Sequence, residues 1–385
     1  MFYKIFKYIF YLFFLPLWYL QLLIPRKRKL WVFGAWYGQK YSDNSRALYE
    51  YMLDYHSEYK VIWITRNHAI YNKLLNENKP ILMTNSLKGI ITCLRASVAI
   101  IGSDTNDLNR FCLNGIRQIW LWHGMPLKKI LFDCMIINIK SKLVKILMPY
   151  YYFLPNNTIT SSDFFIPYLE SAFNLKDNNI LKTGLPRCDI LFSQETEPVI
   201  KEIRKTFKGC KIIFYMPTFR TAIYDGKLFN PFSSFDFDES IFFQKLEDNN
   251  FVFLYKPHFI DESVSVKFDH NRFIYIKDND FDNLYLFLKD IDILMTDYSS
   301  VYFDFLVTKK PVILAPFDYE EYLRTAREHY FDYFENIEGN IIRSWKEIYN
   351  LLDTGDFKII SDNTIKKYCQ YNNGNSCKKL FEIIK

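Results

Sequence analysis

The recurrence of short apolar runs, each followed by a helical pattern, constrains this chain more than any other feature. "LWVFG" (30–34) precedes the amphipathic "SDNSRALYEYML" (42–53), and apolar runs return at "VIWIT" (61–65), "PILMT" (80–84), "VAIIG" (98–102), "QIWLW" (118–122), "TIT" (158–160) and "ILKTG" (180–184). Such runs alternating with helices predict a parallel sheet covered on both faces. A polar, strand-poor stretch follows, and residues 191–210 are predicted as a linker helix. A second series then opens with "KIIFY" (211–215), "FVFLY" (251–255), "RFIYI" (272–276), "IDILMT" (291–296) and "PVILA" (311–315). The predicted fold class is therefore α/β, with two Rossmann-like domains, 30–190 and 211–385, facing a cleft. In open sheets of this kind ligands bind beyond the carboxyl ends of the strands.

Polar clusters fall at those ends. "QIWLW" runs into His123-Gly124-Met125-Pro126-Leu127-Lys128-Lys129, and "KIIFY" into Met216-Pro217-Thr218-Phe219-Arg220. "FVFLY" runs into Lys256-Pro257-His258, and "IDILMT" into Asp297-Tyr298-Ser299-Ser300. The last stretch has two readings. Asp and Ser are favoured helix caps, and the same turn can cradle an anion on free N–H groups at the positive end of a helix. Four such clusters on one kind of edge favour the cradle.

Charge and cysteine narrow the function. The net charge is +6, and Lys4, Lys7, Arg26, Lys27, Arg28 and Lys29 supply all of it, because the rest of the chain holds 43 basic and 43 acidic residues. A body with no net charge speaks against a nucleic-acid partner. The seven cysteines are scattered and never form a C-x-x-C pair, which argues against a disulfide framework or a structural zinc site. No His/Cys/Asp spacing resembles a metal cage.

The N-terminal charges flank "YIFYLFFLPLWYLQLLI" (8–24), seventeen uncharged residues interrupted by Pro16. A helix of that length reaches about 25 Å, short of a hydrocarbon core of roughly 30 Å. Residues 1–29 are accordingly predicted as a membrane-associating helix with Arg26–Lys29 on anionic headgroups, peripheral or monotopic on the cytoplasmic face of the cell membrane. The alternative is a buried core helix.

Taken together, "WHGMPLKKI" (122–130), "TGLPRCDIL" (183–191), "YMPTFR" (215–220), "YKPH" (255–258), "TDYSSVYFDFLVTKKPVIL" (296–314) and "DYEEYLRTAREHYFDY" (318–333) resemble the CDP-glycerol glycerophosphotransferase family of teichoic-acid-type polymer synthesis. The motifs occur in family order over about residues 30–335. Three positions depart from the family pattern: Met125 stands where Thr is usual, Cys188 where Asn is common, and "FENIEGN" after Tyr333 replaces a Pro-Gly-Pro element. The resemblance implies a GT-B-like architecture. It makes the first domain the acceptor side and the second the CDP-alditol side.

The implied reaction transfers glycerol phosphate or ribitol phosphate from CDP-glycerol or CDP-ribitol to a hydroxyl of a membrane-linked or saccharide acceptor, releasing CMP. Phosphoryl transfer needs charge neutralisation, in-line positioning and a base at the attacking oxygen. On this reading His123 is the general base and His258 donates to a phosphate oxygen, as the catalytic pair. Ser299 and Ser300 hold the diphosphate, Asp297 orders their turn, and Arg220, Thr218, Arg327 and Lys128 bind substrate. Gly124, Asp304, Arg187 and Asp189 form a second tier, with Arg187 and Asp189 also explicable as a pair at a hinge. No cofactor is implied beyond magnesium carried on the diphosphate. His56, His68, His270 and His329 lack motif context and read as structural or exposed, and Tyr298, Tyr302 and Phe303 as core. Two other classes remain open: a GT-B glycosyltransferase using a nucleotide sugar, which shares the fold without the chemistry, and a non-catalytic membrane scaffold.

Overall fold

The computed structural model describes residues 15–134, 146, 149–151, 155–220, 229–257, 266, 268–278, 280–325 and 328–385. His258 and Arg327, and residues 8–14 of the apolar stretch 8–24, lie outside them. The chain divides into two compact units, the first made of residues 1–123, 130–189 and 371–385, the second of 124–129 and 190–370.

The first unit is built on seven parallel strands: β1 (Lys27–Gly34), β2 (Lys60–Thr65), β3 (Ile81–Met83), β4 (Ala96–Ile101), β5 (Arg117–Trp120), β6 (Asn157–Ile159) and β7 (Ile180–Leu181). Their order is β3-β2-β1-β4-β5-β6-β7. Chain order reverses between β1 and β4, which is where such a sheet opens a crevice for ligands. Helices cover both faces, so Trp31, Val32 and Phe33 of β1 are all buried, as their unbroken apolar run requires.

The second unit repeats the plan with β8 (Lys211–Met216), β9 (Phe251–Tyr255), β10 (Phe273–Tyr275), β11 (Ile293–Thr296), β12 (Val312–Leu314) and β13 (Asn340–Ile341). Their order, β10-β9-β8-β11-β12-β13, is again all parallel. Here the switch point lies between β8 and β11. Much of the aromatic excess packs under this sheet, where Phe232 lies 5.0 Å from Trp345 and 5.1 Å from Tyr255.

The unit boundaries differ from the expected ones. Residues 371–385 belong to the first unit, because Asp189 accepts hydrogen bonds from the N–H groups of Ser376 and Cys377, each at 2.8 Å. Those donors open the helix Ser376–Ile384 and have no partner within it. Gly184 makes this docking close: at φ 82°, an added Cβ would stand 2.6 Å from Ser376 Oγ and from the Tyr371 carbonyl. The linker region joins the second unit instead, through the helix Pro198–Thr206, with Arg204 on Asp292 at 3.0 Å and Glu197 N–H on Asp290 at 2.8 Å.

At the N-terminus the described helix, 15–20, and the 3-10 turn Gln21–Leu23 lie against the first unit by their polar and aromatic members. Trp18 is buried beside Tyr150 at 5.8 Å, and the Gln21 amide donates to the Phe111 carbonyl at 2.6 Å. Leu17, Leu20, Leu22 and Leu23 are instead exposed, Leu23 by 79%. This is the opposite of a core helix. Among the described residues no helix is long and apolar enough to cross a membrane. The basic cluster divides: Lys27, Arg28 and Lys29 are exposed along the start of β1, while Arg26 donates to the carbonyls of Cys93, Ala96 and Asn114. Arg26 is thus a main-chain clamp and not a headgroup ligand.

Candidate active site

In the first unit the residues around His123 are held by unusual backbone. His123 follows β5 and lies between two tryptophan rings, Trp122 stacked at 4.3 Å and Trp36 tilted at 5.1 Å. Trp36 (φ 48°), Tyr37 (58°), Asp43 (70°) and Trp122 (52°) all occupy the left-handed region, at a cost of about 1–2 kcal/mol each. Specific contacts hold this strain. The Tyr37 N–H donates to Asp107 at 2.6 Å, and the Trp36 indole donates to Asp43 at 3.3 Å. The Asn44 amide donates to the carbonyls of Leu121 and Trp122. Burial pushes the Asp107 carboxyl up to about 7, against three N–H donors that favour its charge.

Arg187 completes this arrangement. Its guanidinium pairs with Asp43 at 2.5 Å, both side chains nearly enclosed, and its N–H donates to Asn44 at 3.1 Å. Arg187 therefore pairs with Asp43 and not with Asp189, whose carboxylate caps the C-terminal helix. The expected hinge pair does not form, and each residue serves its own part of the first unit.

In the second unit, Asp297 ends β11 at the switch point. One of its oxygens accepts from the N–H groups of Thr218 (2.8 Å) and Tyr298 (2.6 Å), and the other takes the Arg220 guanidinium at 2.8 Å. The loops after β8 and β11 are thereby tied together, and Asp297 does order the turn. Ser299 Oγ accepts from the Val301 N–H at 3.3 Å, while Ser300 precedes the helix Val301–Phe305 without capping it through its side chain. That helix has only five residues before a 3-10 turn, so its dipole is small.

Arg220 differs from expectation. It is buried, with Nε and Nη2 on Asp318 (2.8 Å each), Nη2 on Asp297, and Nη1 on the Thr218 carbonyl at 2.6 Å. Phe229, Tyr298 and Tyr322 surround its charge at 4.4, 5.0 and 4.8 Å. Burial opposes that charge, but the carboxylates of Asp297 and then Asp318 outweigh it and hold the group protonated. One guanidinium set against two carboxylates leaves no surplus positive charge for a phosphate. Arg220 is thus enclosed in a buried ion cluster that fastens the turn.

A cation does stand near the turn. Lys128 Nζ donates to Tyr322 at 3.0 Å and lies 5.6 Å over its ring, and Tyr322 stacks on Tyr298 at 4.0 Å. Lys128 is fixed there by a bridge to His329, with the Lys129 N–H on the Glu328 carbonyl and the Tyr330 N–H on that of Leu127. Gly124, at φ 135°, begins this segment where no other residue turns readily. Asp304 is buried and accepts from Tyr285 at 2.7 Å.

The family model described as CDP-Glycerol:Poly(glycerophosphate) glycerophosphotransferase matches residues 17–385. The chain belongs to this family. The teichoic acid glycerol-phosphate transferase of Staphylococcus aureus (strain NCTC 8325 / PS 47) is 30% identical to this chain over 94% of each chain. The teichoic acid poly(glycerol phosphate) polymerase of Bacillus subtilis (strain 168) is 26% identical over 94% of this chain, which spans 49% of that polymerase. In fold, the chain is similar to a variant of the wall teichoic acid polymerase TagF, with TM-score 0.74 and 23% identity over 93% of this chain and 89% of that one. The fold is thus an α/β, GT-B-like one with parallel sheets.

Within this family member the structure gathers Thr218, Arg220, Asp297, Ser299, Ser300 and Lys128 at one end of the second unit, and joins His123 to Arg187 in the first through Asp43 and Asn44. Asp318, Asp43, Asn44 and Trp36 escaped the sequence reading. Asp43 and Asn44 resemble ordinary helix-cap residues, and Asp318 opens a motif whose arginines draw attention first. Tyr298 is buried as expected, yet its hydroxyl donates to Asp318 at 3.1 Å, so it belongs to the site as well as to the core.

Proposed function

We propose that this chain transfers an alditol phosphate from a CDP-alditol to a hydroxyl of a membrane-linked or saccharide acceptor, in synthesis of a cell-surface polymer. The supporting observation is the Asp297–Ser300 turn, fastened at the switch point of the second sheet in a chain of this family. The acceptor oxygen attacks the β-phosphorus, the bond from phosphorus to the CMP oxygen breaks, and CMP leaves with the electron pair. His123 takes the acceptor proton, the task of a positioned imidazole acting as general base. Ser299, Ser300 and the N–H groups of the turn hold the diphosphate, with Lys128 as a nearby cation. His258 and Arg327 would supply further charge. Magnesium would enter with the donor, because both oxygens of Asp297 and of Asp318 are already engaged; among the described residues no group of three or more His, Cys, Asp or Glu is arranged for a metal.

The exposed Leu17, Leu20, Leu22 and Leu23, beside Lys27, Arg28 and Lys29, support docking on the cytoplasmic face of the membrane as a peripheral or monotopic enzyme. One assay tests the reaction: incubation with CDP-glycerol, CDP-ribitol and a panel of nucleotide sugars, reading the nucleotide released. CMP from a CDP-alditol is expected. UDP or another sugar-derived nucleotide overturns the reading in favour of glycosyl transfer, and no turnover with any donor favours the scaffold.

A further inference from the structure

His329 occupies a position that makes little sense for stability. Tyr298, Tyr319, Tyr322 and Tyr333 surround its ring, with centroids 5.9, 6.2, 6.3 and 6.0 Å away. Both ring nitrogens are buried, and among the described residues neither has a hydrogen-bond partner. Leaving polar atoms buried and unsatisfied is costly, and a phenylalanine would fill the same aromatic cage at no such cost. Burial and then the Lys128 cation push the His329 pKa down to about 4, opposed by Asp332, so the ring stays neutral near pH 7. A neutral imidazole offers one N–H donor and one acceptor. That pair matches a hydroxyl, which both gives and takes a hydrogen bond, and it mismatches a phosphate, which only accepts.

We infer that His329 is a specificity residue for the donor, its ring held unsatisfied beside the Tyr298 turn so as to hydrogen-bond a hydroxyl-bearing part of the CDP-alditol. The inference rests on the proposed function and adds a donor contact that is not to phosphate. Its placement supports it: Tyr298 links the cage to Asp297, and the bridge from Lys128 fixes the His329 backbone. The hydroxyl has two sources in such a donor, the alditol and the ribose. Buried polar groups that lose a hydrogen-bonding substrate partner discriminate strongly, because the analogue leaves them unpaired.

The test compares wild type, His329→Phe and His329→Gln. Without nucleotide, the Phe variant should melt about 2–6 °C above wild type. Its KM for CDP-glycerol should rise about tenfold or more with kcat changed far less, and the Gln variant should recover most of that KM. If the alditol is the partner, the KM ratio between CDP-glycerol and CDP-ribitol shifts in the Phe variant. If the ribose is the partner, that ratio holds and inhibition by CMP weakens. A wild-type KM in the Phe variant overturns the inference, as does a lower melting temperature, which would mean the ring is satisfied within the protein. If wild type releases no CMP from either CDP-alditol, the proposed function fails, while the nucleotide-free melting comparison still decides whether the ring is unsatisfied.

Discussion

The two units share a plan and use it differently. Each is an all-parallel sheet with a switch point, and each gathers its polar residues beyond the carboxyl ends of the strands. In the first, His123 lies between tryptophan rings on a backbone bent into the left-handed region at Trp36, Tyr37, Asp43 and Trp122. In the second, the backbone of the turn is relaxed and the cost is electrostatic, with Arg220, Asp297 and Asp318 buried together under tyrosines. Strain holds the backbone around one imidazole, which the proposed function makes the base. An ion cluster of one guanidinium and two carboxylates fixes a loop without adding net positive charge, so on the proposed function phosphate would be bound by hydroxyls, N–H groups and outlying cations.

The sharpest way to break this contrast is to remove the imidazole. His123→Ala should lower turnover by about 10²–10⁴-fold with KM for the CDP-alditol within a few-fold of wild type, read by CMP release. A donor KM that rises as steeply as turnover falls would place His123 on donor binding instead. Next in size, Arg220→Met should destabilise the second unit by about 3–5 kcal/mol, since it strands two buried carboxylates, read by urea unfolding. If stability holds, the cluster is not what fastens the turn.

A third substitution asks whether the N-terminal charges belong to either site. Replacing Lys27, Arg28 and Lys29 with Gln should reduce binding to anionic vesicles by about 100-fold, at about 1 kcal/mol per charge, and raised salt should shrink the difference. Turnover on a soluble acceptor should stay at the wild-type rate. Ser299→Ala should raise the donor KM about tenfold or somewhat more, the lower end of the worth of one hydrogen bond to a charged group.

The smallest effect is on pH. The folded-state pKa of His329 is lowered, so the unfolded chain binds the extra proton first. Stability therefore falls as pH drops from about 6.5 toward 4. His329→Phe should flatten that part of the curve of melting temperature against pH. A slope equal to that of wild type would assign the pH dependence to other groups.

How legible each part was follows from the distance over which it was decided. The strands could be read because both faces of each sheet are covered, so Val32, Phe33 and Ile213 sit in unbroken apolar runs. Strand β13 could not, since Asn340 and Ile341 are two half-buried residues with no run to announce them. The turn 297–300 and the loop at His123 were legible for a related reason: their polar residues interrupt apolar runs at the places where strands end. His329 was not, because nothing local distinguishes a histidine in a tyrosine cage from one on the surface.

By itself, then, the sequence determined the alternation of strand and helix, the two series, and which loops carry polar residues, all of them properties of neighbours along the chain. Only the tertiary structure decided which charges are spent. Arg220 meets Asp318 across 98 residues and Arg187 meets Asp43 across 144, and the first of these pairings depends on a sheet order that sets β8 beside β11. A charge is available or neutralised according to what stands within a few ångströms of it, and strand order, not spacing along the chain, sets that neighbour.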